Sequence, residues 1–93
     1  MTDEQITALV TECKISLGQQ EDGDAFDKVL KQKVKTVLSF LRRAGVSDET
    51  LESDDAIGVI VMGVGDIWSQ VAGEIKFSPA YIFLSTQLAL GGD

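Results

Sequence analysis

The sequence contains no histidine, one cysteine and one proline, and its 8 lysines and arginines face 15 aspartates and glutamates. Without histidine the chain lacks the commonest general base, the usual partner of a nucleophilic serine or cysteine, and the commonest metal ligand. One cysteine, Cys13, cannot form an internal disulfide, and with no histidine it cannot build a Cys/His zinc site. A lone thiol suits a reducing compartment. The net charge of −7 argues against simple binding of a phosphate backbone, which needs an excess of cations. No long apolar run is present: residues 59–64, with Gly63 inside them, fall far short of a bilayer span. Asp3, Glu4 and Gln5 stand where a secretory leader would carry basic residues. The expectation is one soluble, intracellular domain over residues 1–93, without cofactor, metal or enzymatic activity.

Two short motifs that invite a ligand do not meet its chemistry. Glu21-Asp22-Gly23-Asp24 is acidic but lacks the twelve-residue ligand spacing of a calcium loop, and reads as a helix-start loop. Gly63-Val64-Gly65-Asp66 lacks the third glycine and the preceding strand of a phosphate-cradling loop.

What the chain does have is an uneven division of charge. Residues 56–90 hold 21 apolar side chains in 35 positions and three charges, Asp66, Glu74 and Lys76. Residues 1–55 hold 19 of the 23 charged side chains. A chain of this size buries only about two-thirds of its unfolded surface, so apolar surplus concentrated in one segment points to contact with another protein.

Helical spacing runs through the sequence. Thr2 and Gln5 form a capping pair ahead of Ile6, Leu9, Val10, Cys13 and Leu17, and Gly18 stops that helix. A long second helix is expected from residues 22–24 to Ala44, with Phe26, Leu30, Val34, Val37, Leu38 and Leu41 on one face and Gly45 at C′. Ser47 caps a short turn. Ser53 is the expected N-cap of a helix that places Ala56, Ile57, Ile60, Val61, Val64, Ile67, Trp68 and Val71 on one arc, and Gly73 is its expected stop. Gly58, Gly65 and Ser69 fall together beside that arc and read as a lane for a close helix approach. Ser78 and Pro79 supply N-cap and N1 of a last helix to about Leu90, apolar on every side. The fold class is therefore all-α, a small bundle of four to five helices with one long central helix.

Candidate functional residues fall into three groups. Lys28, Lys31, Lys35 and Arg42 share one face of the long helix; with Asp24 and Asp27 one turn earlier they read as a solvated face of i,i+4 pairs. In a head-to-tail assembly the same stripe complements the acids of residues 48–55, Asp48, Glu49 and Glu52 among them. Phe77, Tyr81, Ile82 and Phe83 follow a helix break and serve either the core or a partner surface, whereas Trp68 and Cys13 read as core.

Two look-alikes fail on chemistry. Arg43 to Leu51 has the lettering of a helix-turn-helix, but its would-be recognition helix carries only acids and no cation occurs between Arg43 and Lys76. Carrier proteins share the size and charge, but Glu52-Ser53-Asp54-Asp55 has Asp54 where an apolar residue should follow the modified serine.

Three segments, Phe40-Leu41-Arg42-Arg43-Ala44-Gly45-Val46, Leu51-Glu52-Ser53-Asp54-Asp55-Ala56-Ile57-Gly58-Val59-Ile60-Val61 and Gly63-Val64-Gly65-Asp66-Ile67-Trp68, resemble the small head–tail connector (adaptor) proteins of tailed bacteriophages and prophages. Gly73-Glu74-Ile75-Lys76-Phe77-Ser78-Pro79 and Thr86-Gln87-Leu88-Ala89 fit the same pattern. The resemblance is strongest over residues 26–90 and is one of packing and capping residues, not of a catalytic signature. It implies a helical structural subunit, made in the bacterial host cytoplasm and residing in the virion neck. It further implies a homo-oligomeric ring of about twelve copies docked on the portal protein, which supports a stopper or tail-completion protein. DNA would pass through without sequence-specific binding, and no membrane is involved; acids facing the channel would repel the duplex. The alternative class is a monomeric acidic helical protein-binding module, an adaptor or inhibitor.

Overall fold

The computed structural model describes residues 1–18, 23–68 and 76–91, and among them every element is a helix: α1 (Asp3–Leu17), α2 (Asp24–Arg43), α3 (Asp48–Leu51), α4 (Asp54–Ile67) and α5 (Pro79–Gly91). The protein is a small all-α bundle. The caps explain most of the boundaries. Thr2 Oγ1 accepts the Gln5 N–H at 3.2 Å while Gln5 Oε1 accepts the Thr2 N–H at 2.8 Å, a reciprocal capping box. Gly18 ends α1 in the left-handed region, φ 68°. After α2 the chain turns through Gly45, φ 101°, with the Gly45 N–H bonded to the Arg42 carbonyl and the Val46 N–H to the Leu41 carbonyl. That pair of bonds is a Schellman motif, and its positive φ is the reason a glycine stands there.

Ser53 occupies the N-cap position of α4 but does not cap it. Its hydroxyl donates backward to the Thr50 carbonyl at 2.6 Å, tying off α3 instead. The last helix is capped as expected: Ser78 Oγ accepts the Tyr81 N–H at 3.2 Å, and Pro79 opens the first turn.

The longest helix, α2, has 20 residues, but the hub of the bundle is α4, which packs against each of the other four helices. The reason is its composition: Ala56, Val59, Ile60, Val64 and Ile67 are all buried, so α4 must be covered from several directions. The core is completed by Ile6, Leu9, Val10 and Cys13 of α1 and by Leu30, Val34, Val37, Leu38 and Leu41 of α2. Trp68 lies half-buried at the end of α4, edge-on to Phe26 with ring centroids 5.6 Å apart.

The expected lane of small residues is elsewhere. Gly58 and Gly65 are exposed, and a Cβ at either would meet nothing within 4 Å. The glycine under a helix is Gly63, where a Cβ would lie 2.6 Å from Tyr81 Cε2 and 3.0 Å from Val37 Cγ1. Gly63 lets α4 approach both α2 and the Tyr81 ring of α5. Ser69, Val71, the stop at Gly73 and the acidic pair Glu21-Asp22 lie outside the described residues.

Candidate functional site

The surface, more than any interior site, is where this molecule offers chemistry. Among the described residues no group of three His, Cys, Asp or Glu is placed to hold a metal, and no helix is long and apolar enough to cross a membrane.

Helix α5 divides the aromatic candidates into two sets. Tyr81 is fully buried, stacked on Phe77 at 4.2 Å between centroids and packed at 5.6 Å from Phe40. Phe77 is half-buried, 4.6 Å from Phe40. Tyr81 is therefore a core residue and cannot touch a partner directly. Its hydroxyl has no hydrogen-bond partner among the described residues, and burial, with the Asp66 carboxylate adding to it, pushes its pKa up. Ile82 and Phe83 face outward, Phe83 63 % exposed; Leu90, one stripe-length further on and not singled out in the sequence, is 76 % exposed. The i, i+7 spacing of Phe83 and Leu90 puts them on one line of the helix, and no charge interrupts α5.

The basic stripe is also divided. Arg42 Nε donates to Asp48 Oδ1 at 3.0 Å, an intrachain contact across the α2–α3 turn between two exposed side chains. Asp27, expected to pair with Lys31, instead places Oδ1 2.6 Å from Lys14 Nζ of α1, a charge contact outside good hydrogen-bond alignment. Lys14 also sits 5.9 Å over the Phe26 ring, which fixes α1 against α2. Lys28 and Lys35 are exposed, and Lys31 is half-buried beside Thr7 and Val10. Glu49 is exposed. Glu52 accepts a bond from Gln5 Nε2 at 2.8 Å, linking α1 to the end of α3.

The sequence reading missed a groove of about 200 Å³ between the first half of α1 and the α3–α4 junction. Leu9, Leu51 and Ile57 are among its apolar lining, Glu12 and Glu52 its charges. Its lining brings Ala8 and Glu12 of α1 against Ile57 of α4, and periodicity alone does not join residues 45 or more apart in sequence. Protein-family models, curated proteins and solved structures yielded no match to the chain.

Proposed function

We propose that this protein is the structural subunit of a tailed-phage or prophage head–tail connector, acting by self-association into a ring and by docking on a portal, with no reaction of its own. The observation that carries this reading is the outward line of Phe83 and Leu90, with Ile82 beside it, on an uncharged helix whose other side already completes the core. Large apolar side chains left in water on a rigid element are what an assembling subunit buries on association. The resemblance supports it at the residues that hold the bundle together: Gly45, Ala56, Gly63, Asp66, Phe77 and Ser78 all lie in the connector-like segments and all serve turns, packing or the α4–α5 joint. On this reading the portal lies on one side of the ring and a stopper or tail-completion protein on the other, with DNA passing through unread.

Light scattering on a size-exclusion column, across protein and salt concentrations, tests the proposal. A discrete species of roughly ten or more subunits is the expected result. A strict monomer at every concentration would overturn it in favour of a monomeric acidic binding module.

A further inference from the structure

The cations of this acidic chain are concentrated on α2. Residues 28–43 hold six of the eight lysines and arginines and no acid, whereas the other 77 residues hold two cations and all 15 acids. At about 100° per residue, Lys28, Lys31, Lys35 and Arg42 fall within roughly 60° of one another and form a row about 21 Å long. Lys28, Lys35 and Arg42 are exposed and Lys31 is half-buried; Gln32, Ser39 and Arg43, all exposed, border the row. Val29, the exposed large apolar side chain of α2, lies about 100° or more around the helix from Lys28 and Lys35, off this face. Among the described residues the only cation of the row with a carboxylate at ion-pair distance is Arg42, which meets Asp48. Asp24 and Asp27 precede the row, and Asp27 is already engaged by Lys14 of α1. Lys28, Lys31 and Lys35 thus stay unpaired in a chain where acids outnumber cations nearly two to one.

We propose that this row binds the phosphate backbone of a nucleic-acid duplex, by charge and without reading bases. The inference does not rest on the connector reading. Three properties of the face select the occupant. No acid interrupts residues 28–43, so a polyanion is attracted along the whole row. No large apolar side chain stands on the row to form the desolvated centre that anchors a protein partner, and a polar, cation-rich surface is the character of duplex interfaces. The row offers no aromatic ring for a single strand to stack on, since Phe40 of α2 is half-buried against Phe77 and Tyr81. The net charge of −7 belongs to the other surfaces. They repel a duplex and leave the α2 row as its approach, so the binding is weak, oriented and lost as salt rises.

Fluorescence anisotropy of a labelled DNA duplex of about 20 base pairs, titrated with the full chain in about 20 mM salt, tests the proposal. Binding with a Kd of about 10⁻⁴ M or tighter is expected, and no binding at that salt overturns it. A variant carrying Lys28→Gln and Lys35→Gln should bind about tenfold more weakly, with a salt slope lower by about 0.9 per lysine removed. Lys33→Gln also removes a charge, but from about 140° around the helix from Lys28, and should stay within about twofold of the unaltered chain. Circular dichroism checks that the variants keep the helical fold. Equal weakening per charge at Lys33 and at the row would show that binding follows net charge, and overturns the site. Competition by poly-glutamate as strong as by unlabelled duplex, at equal charge, overturns the duplex in favour of an acidic protein partner.

Discussion

Asp66 and Ser78 are joined where α5 begins: one carboxylate oxygen of Asp66 accepts the Ser78 backbone N–H at 3.0 Å and its hydroxyl at 2.7 Å. The same hydroxyl oxygen accepts the Tyr81 N–H at 3.2 Å, so a side chain of α4 holds the cap of α5. The contact fixes where the last helix starts, and with it which side of α5 turns inward.

Replacing Asp66 with Ala removes two bonds to a charged acceptor, and the cost is about 1.5–3 kcal/mol. Ser78→Ala loses the cap as well as one of those bonds, at roughly 1–2 kcal/mol. Urea unfolding gives both values. Because the two changes act on one contact, the double variant should cost clearly less than the sum, and strict additivity would show that the two side chains act independently.

Glycine substitutions on α4 should have opposite signs. Gly63→Ala forces a methyl group into the Tyr81 ring and Val37, and overpacking of this kind costs about 1–3 kcal/mol. Gly58→Ala meets nothing within 4 Å on an exposed turn and gains about 0.5–1 kcal/mol of helix propensity. Chemical denaturation of the two variants checks both directions, and a stabilised Gly63→Ala would show that α5 does not lie on this glycine.

Tyr81→Phe should leave the protein as stable or more so, by up to about 1 kcal/mol. The hydroxyl it removes is buried and has no partner among the described residues, so its loss spares a desolvation cost while the stacked ring remains. A drop in the unfolding midpoint would reveal a hydrogen bond to that oxygen.

Which parts of this molecule were legible in the sequence follows from how local their causes are. The Thr2–Gln5 box, the Gly45 turn and the Ser78-Pro79 start are decided within a few residues, and the helices appear where spacing and caps place them. Ser53 has the lettering of a cap, but the Thr50 carbonyl at the end of α3 competes for its hydroxyl and wins. The glycine lane failed for a different reason. Wheel adjacency grouped Gly58 with Gly65, whereas Gly63 acquires its role only when α2 and α5 arrive over it. The fate of Tyr81 and Phe83, two residues apart on a helix apolar all round, depended likewise on which side the Asp66–Ser78 joint turns inward. Periodicity cannot decide that.

Cys13 makes stability fall with alkaline pH. Burial, with the Glu12 carboxylate beside it, raises its pKa from 9.0 to about 11. Between those values the unfolded chain has released the thiol proton and the folded chain has not, so the contribution is full below about pH 9 and is lost as pH rises toward 11. Cys13→Ala, roughly 1 kcal/mol less stable at neutral pH from lost packing, should therefore close its gap to the unaltered chain within that window and become the more stable of the two toward its upper end. Parallel denaturation curves for the two chains check it, and a gap that stays constant with pH would place the thiol in contact with water.

Phe83 and Tyr81 supply the sharpest contrast between surface and core. Tyr81→Ala opens a cavity under the α4–α5 joint and should cost about 3–5 kcal/mol, enough to unfold a domain of this size partially. Phe83→Ser changes a side chain that is 63 % exposed in the monomer and should alter its unfolding free energy by no more than about 0.5 kcal/mol. In any assembly that covers α5, the same change forfeits the burial of a large aromatic side chain, worth about 1.5–3 kcal/mol, and so weakens that association by tenfold or more. Urea unfolding at low concentration reads the first quantity, and sedimentation or light scattering with the bound partner reads the second. If Phe83→Ser left every association unchanged, the outward line of α5 would be ordinary solvent-facing surface, and the connector reading would lose the observation that carries it.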